Sequence, residues 1–177
     1  MTRVGRFLRD KRERGYFLNK VDPKKYKKGI VELDTQTDSD WASDRLTRKS
    51  ISCINVQMDG CPITCVVRQQ GFLALSSAEA ELGGMLTGAL ESYGHRRLLQ
   101  WLGFKVIWKL GTDSSAAKAF AARDGVGRMR HIDLKILWLQ QASKELGLTI
   151  YKVPGEYNRA NIGTKKLSAH NWNGRRA

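Results

Sequence analysis

The chain has 177 residues, 41% of them apolar, and a formal net charge of +14. This length fits one domain with a short appendage, and the apolar fraction is sufficient for a core. No apolar run approaches the roughly 20 residues that span a bilayer. Residues 1–15 are too charged for the apolar centre of a signal peptide. We therefore expect an intracellular protein outside the membrane, in either the cytoplasm or the nucleus.

Positive charge is concentrated at the two ends of the chain. Residues 1–30 contain eleven Lys or Arg and three acids, residues 165–177 contain four Lys or Arg and no acid, and residues 31–164 keep a net charge of only +2. Basic ends would also serve solubility, but basic clusters in a chain with a pI near 10.0 are typical of nucleic-acid binding. Charge does not identify the nucleic acid or say whether it is cleaved.

The three cysteines, Cys53, Cys61 and Cys65, are expected to be reduced thiols, since no export signal accompanies them. Cys61 and Cys65 have neither a second cysteine pair nor a histidine nearby, so their spacing argues against a zinc site. We interpret them as small apolar residues on adjacent strands.

The first predicted elements lead into an antiparallel meander. A short amphipathic helix over residues 4–8 and a linker over residues 22–28 precede it. The predicted strands cover residues 30–38, residues 51–58, residues 63–67 after an Asp59-Gly60 turn, and a weaker Gln-rich stretch that ends at Leu75.

The pattern then changes to alternating helices and strands. The first helix extends from Ser77 to Trp101 and contains Gly83, Gly84 and Gly88, which we interpret as sites of close packing against a sheet. The remaining elements are a strand over residues 106–110, a helix over 116–122, a helix over 131–146, a strand over 149–153 and a helix from about residue 158. This order predicts an α/β fold with a mixed sheet and helices on both faces.

Three carboxylates are candidates for a shared site. Ser76 and Glu79 have the spacing of a capping box, in which each side chain accepts from the other residue's backbone N–H. Glu79 thus has a structural role, whereas Glu81 has none that the sequence explains. Asp38 and Asp113 each follow a predicted strand, and sites in such sheets form beyond the carboxyl ends of strands.

Clustered carboxylates repel one another, and a bound cation neutralises them. Ligation by oxygen alone selects magnesium or manganese over zinc. Two such ions about 3.5–4 Å apart activate a water molecule and stabilise the leaving oxygen in phosphodiester cleavage. The alternative is that these acids are solvated residues or turn formers, and spacing alone does not decide between the two.

Four short segments in succession carry a more specific signal. They are Thr37-Asp38-Ser39-Asp40-Trp41-Ala42, Leu75-Ser76-Ser77-Ala78-Glu79-Ala80-Glu81-Leu82, Thr112-Asp113-Ser114-Ser115-Ala116 and Arg130-His131-Ile132-Asp133. In order and spacing they resemble the successive motifs of the ribonuclease H domain of copia-type LTR retrotransposon Pol polyproteins. The resemblance covers roughly residues 30–168, and Arg6-Phe7-Leu8 resembles the stretch that joins the reverse transcriptase to that domain.

The resemblance implies a ribonuclease H-like fold, a five-stranded mixed sheet flanked by helices. It implies a nuclease that cleaves the RNA strand of RNA–DNA hybrids with Mg²⁺, for which Mn²⁺ could substitute, and a reverse transcriptase domain upstream in the parent polyprotein. Asp38 would bridge both metal ions, and Glu81 and Asp113 would be further ligands. We expect residues 1–29 to be a remnant of the connection, residues 30–170 to be the domain and residues 171–177 to be a basic tail.

The sequence departs from the family pattern at the fourth metal ligand. The family has an aspartate in a pattern like Ala-Asp-Ile-x-Thr-Lys, whereas this chain has Asn161 within Ala160-Asn161-Ile162-Gly163-Thr164-Lys165. An amide oxygen ligates a hard cation but brings no negative charge, so we expect weakened catalysis. Glu156 is an alternative ligand, although a solvated loop glutamate is the simpler interpretation.

Basic residues outside the acid cluster are candidates for phosphate contacts, which position a duplex without reading its sequence. They are Lys24, Lys25, Lys27, Lys28, Arg128, Arg130 and His131. For His131, a structural hydrogen bond or a phosphate contact is a simpler role than that of general base. Trp41 either packs under the site or stacks on a base.

Two rival interpretations remain beside the nuclease. A decayed element fragment would bind hybrid or RNA without cleaving it, and Asn161 favours that possibility. A DNA-joining integrase shares the fold, but its glutamate lies on a late helix, and the early position of Glu81 argues against it.

Overall fold

The computed structural model describes Lys24 and residues 28–123 and 133–165. The strands are β1 (Ile30–Asp40), β2 (Ile51–Met58), β3 (Cys61–Gln69), β4 (Lys105–Thr112) and β5 (Leu148–Lys152). The helices are α1 (Ser77–Trp101), α2 (Ser115–Ala121), α3 (Asp133–Lys144) and α4 (Asn161–Thr164), with a 3₁₀ turn at Gly155–Tyr157. In these residues no helix is both long and apolar enough to cross a bilayer.

The five strands form one sheet in the order β3-β2-β1-β4-β5. β1 pairs with β2 and β2 with β3 in antiparallel fashion, whereas β1 pairs with β4 and β4 with β5 in parallel. Positive φ angles at Asp59 and Gly60, 49° and 81°, fit the tight turn between β2 and β3. The predicted five-stranded mixed sheet is therefore confirmed.

The predicted strand ending at Leu75 is wrong. β3 already extends to Gln69, beyond the expected end at residue 67, and the chain then leaves the sheet. Gln70 turns its buried side chain inward, where Nε2 donates to the Ser52 hydroxyl at 2.8 Å and to the Ala80 carbonyl at 2.7 Å. The first bond holds Gln70 to β2 and the second holds it to the start of α1, and no strand follows between Gln70 and Leu75.

The last helix also starts later than expected, at Asn161 instead of near residue 158. Asn158 is fully buried, and its Nδ2 donates to the Thr37 carbonyl while its Oδ1 accepts from the Ala160 N–H. A side chain bonded in this way holds the backbone in a turn before α4, so the helix begins only after it. The predicted helix over 131–146 is described from Asp133 to Lys144.

The hydrophobic core lies between α1 and one face of the sheet. Side chains alternate along the strands, so Leu33, Ile54, Val56, Trp108 and Leu110 share this face and are almost fully buried. The opposite face of β1 carries the acidic and amide side chains of every second residue, among them Asp38, and ends with Asp40. Cys53 lies on β2, and none of the three cysteines forms a disulfide. Cys61 and Cys65 both lie on β3, so the prediction that they lie on adjacent strands is wrong, because the Asp59-Gly60 turn precedes both of them.

The α1 glycines allow the helix to approach the sheet closely, as predicted. A Cβ atom added at Gly84 would lie 2.4 Å from the Ser39 hydroxyl oxygen, and one added at Gly88 would lie 2.5 Å from the Thr37 methyl carbon. Both contacts are shorter than van der Waals distance, so a larger residue would push α1 away from β1. Ser39 and Thr37 flank Asp38, so this packing also sets the spacing of the site.

We expect Gly88→Ala to lower the free energy of unfolding by about 2 kcal/mol, because overpacking displaces helix and strand. The matched control is Gly94→Ala in the same helix, where an added Cβ has no atom within 4 Å among the described residues. The free energy of unfolding of that variant should rise by up to about 1 kcal/mol, because alanine is more favourable than glycine in a helix interior. Urea unfolding measures both changes, and an equal effect of the two substitutions would contradict the close-packing role.

Candidate active site

The parallel register of β1 and β4 places two aspartates side by side. Thr37 and Thr112 are the last paired residues of the two strands, so Asp38 and Asp113 are the next residues at the same edge. β1 itself continues to Asp40 along β2. The structure thus confirms the predicted position of both acids at the carboxyl end of the parallel strands.

The start of α1 adds the third acid. The Ser76 hydroxyl accepts from the Glu79 N–H at 3.2 Å, as the capping box predicts. The return bond differs, because Glu79 Oε2 accepts from the Leu75 N–H at 2.8 Å instead of from Ser76. Glu79 is nevertheless held by the cap, and Glu81 points to the end of β1, where its Oε1 accepts from the Ser39 N–H at 3.3 Å.

Asp38, Glu81 and Asp113 converge into one cluster, with one oxygen of each carboxylate within 4.8 Å of the others. Asp38 is fully buried, and Glu81 and Asp113 are partly exposed. The second oxygen of Glu81, Oε2, is buried and accepts no hydrogen bond from any residue in the described ranges. A buried oxygen without a donor, among carboxylates that repel one another, fits a site for a hard divalent cation.

Burial raises the pKa of Glu81 to about 8, and the nearby charges of Asp38 and Asp113 add to this rise. The hydrogen bond from the Ser39 N–H and the positive charge of the Lys165 ammonium lower the pKa of Glu81, but by less. The carboxyl of Glu81 therefore holds its proton at neutral pH unless a further positive charge enters the site. Because metal ligands must be deprotonated, cation binding here releases a proton and strengthens as the pH rises.

We expect the pKa of Glu81 to make the stability of the metal-free protein depend on pH. The folded-state pKa is higher than the ordinary value of 4.5, so the stabilisation from the bound proton is full below about pH 4.5 and is lost as the pH rises through about 8. Glu81→Gln has no proton to lose and should be about 2 kcal/mol more stable than the wild type near pH 9 in a chelator.

Urea unfolding at several pH values measures this difference. Glu91→Gln is the control for the loss of one negative charge, because Glu91 is a partly exposed residue of the same helix whose side chain pairs with Arg68. Parallel stability–pH curves for the wild type and Glu81→Gln would refute a raised pKa at Glu81.

α4 lies over the polar face of β1 and β2, held there by the turn that precedes it. The Arg159 N–H donates to Gln36 Oε1 at 2.8 Å, and the Arg159 guanidinium donates to Gln57 Oε1 at 2.8 Å. Gly163 rests directly on β2, because an added Cβ would lie 2.7 Å from the Cys53 sulfur. These contacts bring the last residues of the described chain to Asp38.

Asn161 is buried at the start of α4 and has a fixed amide orientation. Its Nδ2 donates to the Gly155 carbonyl at 2.5 Å, which turns Oδ1 toward the acids. Oδ1 accepts from the Lys165 ammonium at 2.7 Å, and that same ammonium contacts Asp38 and Asp113. The structure therefore places an amide oxygen at the edge of the carboxylate cluster.

Sequence reasoning assigned no role in the site to Thr164 and Lys165. The Thr164 hydroxyl donates to Asp38 Oδ2. Lys165 Nζ lies 3.0 Å from Asp38 Oδ1 and 3.3 Å from Asp113 Oδ2. Lys165 had been counted only as part of the basic end, although its spacing of four residues from Asn161 already placed the two on one side of a helix.

The other candidates do not join the cluster in the described part of the chain. Lys28 is exposed near the start of β1, about 30 Å of strand away from Asp38. Lys24 is also exposed, and Glu156 is exposed on the 3₁₀ turn. Trp41 is 49% exposed, and its Nε1 donates to the Ala74 carbonyl at 3.0 Å. The candidates that lie outside the described residues are Lys25, Lys27, Arg128, Arg130 and His131.

No protein-family model matches the chain, and no curated protein matches it in sequence. Solved structures, however, are similar in fold. LC11-RNase H1, isolated from compost by a metagenomic approach, superposes with a TM-score of 0.52 at 11% identity, over 76% of this chain and 91% of that one. The N-terminal RNase H domain of Rv2228c from Mycobacterium tuberculosis gives a TM-score of 0.53 at 16% identity, with the same coverage. The chain therefore has the ribonuclease H-like fold, as predicted.

Proposed function

We propose that the chain is a metal-dependent endoribonuclease of the ribonuclease H type, which cleaves the RNA strand of an RNA–DNA hybrid. The convergence of Asp38, Glu81 and Asp113 carries this proposal, because three separate elements bring their carboxylates within 4.8 Å of one another. A structural role would not require such repulsion. The ribonuclease H-like fold adds support, since its sheet presents the cluster at the edge where sites form.

Asp38, Glu81 and Asp113 would hold divalent cations, Mg²⁺ or in its place Mn²⁺, with Asn161 as a neutral fourth ligand. Such ions would supply the activation of a water molecule for attack on the phosphodiester and the stabilisation of the leaving oxygen. Thr164 keeps the Asp38 carboxylate oriented by donating to its Oδ2. Because Asn161 adds no negative charge, we expect cleavage to require a higher metal concentration than cleavage by a site with four carboxylates.

We infer that the chain derives from the Pol polyprotein of a copia-type LTR retrotransposon, downstream of a reverse transcriptase domain. The four successive motifs that contain Asp38, Glu81, Asp113 and His131 support this origin. The formal charge of +14 suits a polyanionic partner. Phosphate contacts by Lys24, Lys25, Lys27, Lys28, Arg128, Arg130 and His131 belong to the same proposal.

The second candidate function is binding of hybrid or RNA without cleavage, in a fragment of a decayed element. Asn161 favours it, because its fixed amide cannot take part as an anion. An integrase remains disfavoured, since Glu81 lies on α1, the first helix after the meander.

The test is cleavage of an RNA–DNA hybrid labelled at the end of its RNA strand, in Mg²⁺ and then in Mn²⁺. We expect the RNA strand to be cut in either metal and to stay intact in a chelator. Duplex DNA and duplex RNA of the same sequence are the controls for substrate class. Binding of the hybrid by folded protein without any cutting in either metal would replace the nuclease with the second candidate.

A further inference from the structure

Lys165 provides a cation within the acid cluster. Its ammonium lies 3.0 Å from Asp38 Oδ1, 3.3 Å from Asp113 Oδ2 and 2.7 Å from Asn161 Oδ1. Three oxygen atoms on three different elements thus converge on one positive charge. The group reaches Asp38 and Asp113 from the end of α4, whereas Glu81 reaches the cluster from α1.

The formal charges of the cluster favour one divalent cation. Once a bound cation has displaced the proton of Glu81, the carboxylates of Asp38, Glu81 and Asp113 bring three negative charges, and the Lys165 ammonium brings one positive charge. A single divalent ion balances the remainder, while a second ion would place excess positive charge next to the ammonium. Asn161 favours the same number of ions, because an aspartate there would add one of the two negative charges that would balance a second ion.

The Lys165 ammonium is also able to move out of the acid cluster. It is the residue that follows α4, and half of its side chain is exposed although its partner Asp38 is buried. A lysine carries its charge on a flexible four-carbon stem, so its ammonium can exchange protein oxygens for water without moving the backbone. The position it vacates is bounded by the oxygens of Asp38, Asp113 and Asn161.

We propose that Lys165 occupies the position of the second metal ion, so that the site binds one divalent cation readily and a second only by displacing this ammonium. The inference rests on the proposed metal-dependent nuclease. Lys165 thereby acts as a positioning residue that sets how many ions bind, and at which concentration.

Calorimetric titration of the full chain with Mn²⁺ tests the proposal, with the number of ions and their affinities as the readout. Lys165→Met removes the charge, keeps much of the stem and adds no oxygen ligand; its side chain is already half exposed, so the fold should persist. Lys105→Met, at the opposite end of β4 from Asp113, is the control for the loss of one positive charge.

We expect the wild type and Lys105→Met to bind one Mn²⁺ in the accessible range, and Lys165→Met to bind a second ion with affinity increased by roughly tenfold or more. If Lys165→Met binds a second ion with the same affinity as the wild type, the inference about Lys165 is wrong, whereas the proposed metal site remains supported by the binding of the first ion. Absence of Mn²⁺ binding by all three folded proteins would overturn both the inference and the proposed nuclease. Thermal melts with and without Mn²⁺ show that each variant is folded.

Discussion

Asp38→Asn is expected to lower the rate of hybrid cleavage by about a thousandfold or more, the largest effect of any single substitution in this chain. Asp38 is the only one of the three acids that the structure buries completely, and its carboxylate contacts both Thr164 and Lys165 at the end of α4. Replacing its carboxylate removes the charge at the centre of the cluster. Only the carboxylates of Glu81 and Asp113 then remain to hold a cation, so we expect weaker metal binding.

The fold should survive this substitution, because asparagine has the shape of aspartate and can satisfy the same partners. Its Oδ1 would accept from Lys165 Nζ, and its Nδ2 would donate to the Thr164 hydroxyl, which accepts as well as donates. Hybrid binding should also persist, since the proposed phosphate contacts by basic residues do not involve Asp38. A gel shift in Ca²⁺ separates binding from cleavage.

Asp59→Asn is the matched control for Asp38→Asn. Asp59 lies in the β2–β3 turn, at the far end of the sheet, and its Oδ1 accepts from the Glu32 N–H at 3.1 Å. Asparagine keeps that acceptor and tolerates the positive φ of 49°. This variant should cleave like the wild type. Cleavage by Asp38→Asn at a rate close to that of the control would mean that the three-acid cluster is not the catalytic centre.

The positions of the three acids were predictable because each follows from a local pattern. Asp38 and Asp113 come after apolar runs that predict strands, and the parallel register of Thr37 with Thr112 then places them together. Glu81 was identified by elimination, since the helix cap accounts for Glu79. Burial patterns and caps act over a few residues, so a sequence reveals them without knowledge of the fold.

The arrangement around α4 was not predictable from local pattern. Thr164 and Asp38 are 126 residues apart in the chain, and only the finished sheet brings them together. The same holds for Lys165, whose charge was indistinguishable in the sequence from that of a solvated basic tail. The prediction of a strand that ends at Leu75 was wrong for a related reason, because the Gln70 side chain bonds to Ser52 and Ala80 across the fold and no strand follows it.

Asn161→Asp is expected to reduce the Mg²⁺ concentration for half-maximal cleavage by about tenfold, because it restores a fourth negative charge at the edge of the cluster. The gain has a structural cost that the sequence does not reveal. Nδ2 of Asn161 donates to the Gly155 carbonyl at 2.5 Å, and an aspartate would place an oxygen against that carbonyl. We therefore expect the metal-free variant to lose about 1–2 kcal/mol of stability, which bound Mg²⁺ should recover.

Metal titration of cleavage, together with melting curves in chelator and in Mg²⁺, separates the two effects of Asn161→Asp. Ile162→Asp is the control, because it adds the same charge one residue further on, at a side chain that is 38% exposed. Equal shifts in the two variants would show that negative charge anywhere near α4 suffices. A lower metal requirement confined to Asn161→Asp, with a weaker metal-free fold, would show that the amide was kept by its bond to Gly155 at the expense of metal affinity.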